Sequence, residues 1–171
     1  LINMTITNAE QFWNFSIKVY EPLVTTFLYL QNHWELDVNL LLLCCWLGKK
    51  KCVLTDNEFL VLIKKVAPFR NQLINPLREA RKFAKKIEGI SNSKDLKNKI
   101  LVVELEAERM EQMILLETLS AFDLLCALHD HSEAGSAMLN FQSYLAALAV
   151  QTTEEANVAL KKIIDSVLLQ R

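Results

Sequence analysis

The chain has 171 residues, of which 51% are hydrophobic and 23% are charged, and its formal net charge is −1. This composition is typical of a globular domain that buries a core, and it differs from that of a disordered tail. Near-neutrality does not favour nucleic acid as the main partner, because most nucleic-acid binders carry a basic excess. The longest apolar stretch, residues 40–47, is far shorter than the roughly 20 residues of a membrane span. We therefore expect one globular domain over 4–171 and no membrane segment.

Helices are predicted for nearly the whole chain. Glycine and proline occur three times each and separate segments of helical periodicity, while no segment alternates like a strand, so we predict an all-α fold. We expect about seven or eight helices around a buried central helix, with an N-terminal part over 4–90 and a C-terminal part over 93–171. The predicted starts are Thr7, Pro22, Asp37, Thr55, Pro68, Pro76 as a kink or a new start, Ser93, and those of two further amphipathic helices.

The predicted central helix covers residues 38–47, VNLLLLCCWL, directly after the helix-capping residue Asp37. A helix that is apolar on every face must be wrapped by other helices. Its one polar side chain, Asn39, is expected either to be exposed and to contribute little to stability, or to belong to a buried hydrogen-bond network. The helix is predicted to end near Gly48 and the lysine run that follows it.

Cysteine usage indicates a reducing compartment. Cys44, Cys45, Cys52 and Cys126 lie inside or beside apolar segments and form no C-x-x-C motif, so we expect small, reduced core residues. The first ten residues lack the basic start and apolar core of a secretory signal. We therefore expect a cytoplasmic location.

One long helix is predicted over residues 94–129, which contain no glycine or proline. Unbroken, it would measure about 54 Å, longer than the breadth of a compact domain of this size. Its carboxylates Glu104, Glu108 and Glu111 are interpreted as a solvated acidic face, since the Glu-x-x-His step of di-iron bundles is absent. Its apolar stripe is a predicted docking surface for a second copy or for a partner helix. The stripe comprises Leu96, Ile100, Val103, Ala107 and Met110.

Four segments carry a resemblance to a known family. They are FWNFSIKVY at 12–20, LQNHWELDVNLLLLCCWL at 30–47, PLREARKFAKK at 76–86 and ELEAERMEQ at 104–112. In this order they resemble a bacterial family of uncharacterised proteins, catalogued as a domain of unknown function, over roughly residues 12–130. Members of that family typically have a glycine near the position of Glu35. The resemblance implies a soluble bacterial protein and brings no assigned activity.

A basic helix face is the first candidate binding surface. Five basic residues share one side of the predicted helix after Pro76, opposite the predicted core residues Leu77, Ala80, Phe83, Ala84 and Ile87. Such a face is able to bind phosphates, an anionic ligand or an acidic protein patch, or it is simply solvated. The basic set is Arg78, Arg81, Lys82, Lys85 and Lys86, with Arg70 nearby.

Charge is divided unevenly between the two halves of the chain. Residues 1–90 carry 12 basic and 8 acidic side chains, whereas residues 91–171 carry 7 and 12. The halves are therefore expected to attract each other, within a monomer or between subunits.

A polar set around the central helix is the second candidate. Polar groups beside an apolar helix must be hydrogen-bonded, which favours a structural network with Asp37 as the cap. The alternative is a pocket with aromatic walls for a small anionic or amphipathic ligand. The set comprises Tyr20, Gln31, Asp37, Asn39 and Trp46, together with Arg78.

No catalytic motif stands out in the sequence. There is no phosphate-binding loop or nucleophile elbow, and we expect no metal and no cofactor. His129 and His131 diverge on a helix and are interpreted as a polar helix end. We predict a non-catalytic protein-interaction or regulatory module. The alternatives are a ligand or nucleic-acid binder that uses the basic face, and an enzyme with an unrecognised site.

Overall fold

The computed structural model describes residues 6–87, 90, 92–122, 124, 126 and 132–169, without the side chains of the last two. Within these residues the chain is helical and contains no strand, which confirms the all-α prediction. A 3₁₀ turn, Glu21–Leu23, joins the first two helices. The helices are α1 Ala9–Tyr20, α2 Val24–Trp34, α3 Val38–Lys49, α4 Asp56–Phe69, α5 Asn75–Lys86, α6 Ser93–Ser120, α7 Glu133–Ala147 and α8 Glu154–Leu169.

Helix α3 is buried along nearly its whole length, at residues 39–48. It crosses α7 at Gly48, where an added Cβ would lie 2.5 Å from the Cβ and 2.7 Å from the Cα of Ala137. Gly48 is therefore required by the close approach of two helices, and not only by the helix end that the sequence indicated there.

Polar caps set where the helices begin. Thr55 and Glu58 form the predicted capping box of α4, in which each side chain accepts a hydrogen bond from the backbone N–H of the other residue. For α1 the predicted cap is wrong by one residue. The side chain of Asn8, which follows Thr7, accepts a hydrogen bond from the N–H of Gln11 at 2.9 Å.

A left-handed residue ends α2. Glu35 has φ 54°, and its N–H donates to the carbonyl of Leu30. This conformation is the one that glycine adopts without steric cost.

Helices α4 and α5 are continuous through a π-helical turn, Arg70–Ile74. Pro68 lies inside α4, so the prediction that it starts a new helix is wrong. Pro76 lies in the first turn of α5, where its missing N–H interrupts the regular hydrogen-bond ladder. The wider π turn lies directly before it and turns Arg70 toward the start of α3.

Helix α6 is shorter than predicted, with 28 residues and a length of about 42 Å. It ends at Ser120, and beyond it Phe122, Leu124 and Cys126 pack against the core. Tertiary contacts therefore override the helical propensity of this stretch. Residues 123, 125 and 127–131 lie outside the described part.

Two cysteines form a disulfide, which contradicts the expectation of four reduced thiols. Cys52 and Cys126 are bonded with their Cα atoms 4.3 Å apart, although 74 positions separate them in sequence. Cys44 and Cys45 are free and fully buried, as small core residues. Reduced cysteines were one basis for the predicted cytoplasmic location, and disulfides persist mainly in oxidising compartments. The disulfide therefore removes that basis, and the cytoplasmic location stays a prediction.

In the part of the chain that the structure describes, no helix combines the length and apolarity needed to span a bilayer.

Candidate functional site

Asp37 holds three elements together at the start of α3. Its Oδ1 accepts a hydrogen bond from the N–H of Asn39 at 2.8 Å, which confirms the predicted cap. Its Oδ2 pairs with Arg70 of the π turn at 2.9 Å. Its backbone N–H donates to the hydroxyl oxygen of Tyr144 on α7 at 2.9 Å. Burial, and secondarily the charge of Asp37, raises the pKa of Tyr144, so this phenol stays protonated.

Asn39 is buried at 6% exposure, so the expectation that it is exposed is wrong. Its Nδ2 donates to Oε2 of Glu111 at 2.6 Å and to the carbonyl of Glu108 at 3.3 Å. Its Oδ1 accepts a hydrogen bond from Nε2 of Gln112 at 2.9 Å, and this Nε2 also donates to Oγ of Ser16 at 3.0 Å. Asn39 therefore links α3 to α6, and Gln112 extends the link to α1.

Glu111 is the most strongly perturbed acid in this network. Only 1% of it is exposed, and burial, followed by the nearby charge of Asp37, raises its pKa to about 8. Its carboxyl group is therefore mainly protonated at neutral pH. Its Oε1 has no hydrogen-bond partner among the described residues.

Two arginines of α5 face the carboxylates of α6. Arg78 pairs with Glu108 at 2.7 Å and approaches Glu104 at 3.5 Å, while Arg81 contacts both oxygens of Glu104, one of them at 3.1 Å. Burial raises the pKa of Glu108, and Arg78 opposes that rise. These pairs join the two oppositely charged halves of the chain, so the predicted attraction operates within the monomer.

The charges of the inner cluster balance. It contains four acids and three arginines, and protonation of Glu111 leaves three negative and three positive groups. Charges that are removed from water must be paired and hydrogen-bonded to be tolerated. The cluster comprises Asp37, Glu104, Glu108, Glu111, Arg70, Arg78 and Arg81.

The predicted division of α5 into a basic and a core face is partly wrong. The side chains of Arg78 and Arg81 are only 14% and 30% exposed, whereas Phe83 is 69% exposed. Arginine buries its aliphatic stem readily when its guanidinium is paired, and hydropathy alone does not reveal this. The exposed basic residues are Lys82, which pairs with Glu79 at 2.8 Å, and Lys85 and Lys86.

The predicted acidic face of α6 is also wrong, because Glu104 and Glu111 are 4% and 1% exposed. In the predicted apolar stripe, Ala107 is buried at 3% and Ile100 is half-buried. The buried side can be followed from Leu115 toward the N-terminus of the helix in steps of four and three residues, which reach Glu111, Ala107 and Glu104. That phase is the sequence signal that would have found the buried carboxylates.

The solvent side of α6, here called the outer face, mixes apolar and charged side chains. Leu96, Val103, Met110 and Met113 are each 47–53% exposed and share this side with charged residues. A groove of about 350 Å³ adjoins its C-terminal end, lined by Thr7, Ala9, Met113, Leu116, Glu117 and Ser120. The outer face comprises Leu96, Lys99, Val103, Glu106, Met110, Met113 and Glu117.

The rest of the predicted polar set is divided between two places. Tyr20 lies beside the inner cluster, where burial and the charge of Glu108 raise its pKa. Trp46 lies at the other end of α3, and its Nε1 donates to the carbonyl of Ile6 at 2.9 Å. Gln31 is half-buried on α2, with no hydrogen bond to the inner cluster among the described residues. These side chains do not line one common cavity.

Among the described residues, no group of three or more histidine, cysteine or acidic side chains is arranged to hold a metal ion. His129 and His131 lie outside the described residues.

The fold and site define an all-α domain whose longest helix is fixed by partly buried ion pairs on one side and carries exposed apolar side chains among charged ones on the other. The chain belongs to the family described as "Protein of unknown function (DUF2390)", which matches residues 11–115. That region contains most of α1, all of α2 to α5 and most of α6, and thus the whole inner cluster. No curated protein and no solved structure matches the chain.

Proposed function

We propose that this protein is a non-catalytic interaction module that docks another helix on the outer face of α6. The observation that carries the proposal is the set of half-exposed apolar side chains on this helix. Its buried side holds Glu104, Glu111 and Gln112 beside apolar residues, whereas its exposed side carries Leu96, Val103, Met110 and Met113 among charged residues.

Exposed apolar surface of this kind favours a partner. Leu96, Val103, Met110 and Met113 of the outer face are each about half exposed. Monomeric proteins rarely leave large contiguous apolar patches in water, and burial of such surface contributes roughly 25 cal/mol per Å². Positions at spacings of three and four share one side of a helix, and apolar side chains at such positions are the anchors by which one helix binds another.

The inner cluster supports the proposal because it holds α6 in place without using its apolar side. Arg78 and Arg81 pair with the buried carboxylates, and Asn39 and Gln112 join the helix to α3 and α1. Paired, hydrogen-bonded charges in a dry interface fix one rotational setting of the helix. The outer face is thereby presented to solvent in a defined orientation, as a rigid docking surface requires.

Site-specific photocrosslinking in the protein's native cells tests the proposal. A benzophenone amino acid at Val103 should give protein adducts. The same group at Val158 of α8, an apolar position that is 59% exposed, is the matched control and should give few. No adducts at Val103, or equal adducts at both positions, would contradict the proposal.

A further inference from the structure

The outer face follows a heptad pattern over three consecutive repeats, residues 96–117. Its seven positions are separated alternately by three and four residues, and all seven side chains are exposed. This is the a and d spacing of a helix that pairs with another helix along its length. Four positions are apolar, namely Leu96, Val103, Met110 and Met113, and three are charged, namely Lys99, Glu106 and Glu117.

We propose that the outer face binds a second copy of this chain as an antiparallel helix pair. This inference rests on the proposed docking function and names its partner. A parallel pair would place Lys99 beside Lys99 and Glu106 beside Glu106, and like charges in such positions repel. An antiparallel pair with Lys99 opposite Glu117 instead forms two opposite-charge pairs, because the two-fold axis repeats each contact.

The same register places one apolar pair on each side of the two-fold axis. With Lys99 opposite Glu117, Val103 lies opposite Met113, and Glu106 lies opposite Met110, whose flexible thioether adapts to the carboxylate stem. Leu96 then falls opposite Ser120. The groove of about 350 Å³ lies at that end of α6, and Met113, Leu116 and Ser120 contribute to its wall. The groove thus receives Leu96 of the second copy.

Formation of the pair requires little rearrangement within each monomer. Lys99 pairs with Asp95 at 2.8 Å, but both side chains are more than half exposed. Exposed pairs of this kind contribute little to stability, so Lys99 loses little free energy when it leaves Asp95 to pair with Glu117 of the second copy. The inner cluster on the opposite side of α6 is not disturbed.

The first experiment measures mass against concentration by sedimentation equilibrium on the full chain. A monomer–dimer equilibrium is expected, and Val103→Glu should weaken it at least tenfold in Kd because it places a charge at the centre of the apolar row. Val158→Glu is the matched control and should leave Kd unchanged. A monomer mass at every concentration would overturn the inference, and so would equal effects of the two variants.

The second experiment tests the register by charge reversal. Lys99→Glu and Glu117→Lys should each raise the dimer Kd about five- to tenfold, and the double variant should restore it. A parallel pair, by contrast, places Lys99 beside Lys99, so reversal of both charges brings no such rescue. Absence of rescue therefore overturns the antiparallel register.

The two proposals fail in different ways. If the chain is monomeric but Val103 still crosslinks to another protein, the second copy is wrong and the docking function stands. If neither self-association nor adducts occur, both proposals fall.

Discussion

The raised pKa of Glu111 predicts a specific dependence of stability on pH. In the unfolded chain this carboxyl group titrates near its ordinary value of 4.5, whereas in the folded protein its pKa is about 8. Between these values the folded protein holds a proton that the unfolded chain has released. Its contribution to stability is therefore fully present below about pH 4.5 and is lost as the pH rises through about 8.

The size of this effect follows from the interval between the two pKa values. An interval of about 3.5 pH units, at about 1.4 kcal/mol per unit, gives a loss of up to about 5 kcal/mol across the range. Glu111→Gln removes the titration and keeps the size of the side chain and its ability to accept from Asn39. We expect the variant to match the wild type near pH 5 and to be progressively more stable than it toward pH 8.

Urea unfolding of both proteins at several pH values between 5 and 8 measures this difference. Stability depends on pH through other groups as well, so the informative quantity is the variant's free energy of unfolding minus that of the wild type. Glu10→Gln, at an exposed position of α1 outside the outer face, is the control and should show no trend. If the Glu111→Gln difference is constant with pH, Glu111 is ionised in the native protein and the charge balance of the inner cluster is wrong.

Three further substitutions test the packing and the covalent structure. Gly48→Ala should cost at least about 2 kcal/mol in urea unfolding, since the new Cβ would lie 2.5–2.7 Å from side-chain and backbone atoms of Ala137; a neutral result would place the helices further apart. Cys126→Ser should lower the free energy of unfolding by about 4 kcal/mol, because a cross-link between residues 74 positions apart is lost. Reductant should destabilise the wild type by a similar amount and leave the variant unaffected. A variant as stable as the wild type would mean that Cys52 is unpaired in solution. Glu35→Gly should raise the free energy of unfolding by up to about 1 kcal/mol, seen as a higher thermal midpoint, because φ at this residue is 54°. Glu35→Ala should bring no such gain, and equal gains would assign the effect to charge.

Local signals in the sequence determined the helical class and several helix starts. The run after Asp37 is apolar on every side, so hydropathy alone predicts its burial, and Asp37 and Thr55 are short polar residues placed where free N–H groups need an acceptor. The family segments were also visible in the sequence. These features depend on residues within a few positions of each other, which is why they could be predicted.

The faces of α5 and α6 were decided by tertiary structure. Periodicity assigns charged residues to solvent, but Glu104 and Glu111 are buried, and Arg78 and Arg81 are partly buried, because each neutralises or hydrogen-bonds a group on another helix. A single sequence does not show that two charged helices will pack against each other. The burial of Asn39 depends on the same meeting.

The remaining features depend on contacts between residues far apart in the chain. Nothing near Cys52 identifies Cys126 as its partner, and nothing near Gly48 indicates that Ala137 approaches it. Local sequence thus specified which segments become helices and roughly where they begin. The packing of those helices decided which charges are paired inside, and therefore which side of α6 is left apolar in water, because the free energy of a buried charge depends on its neighbours in space.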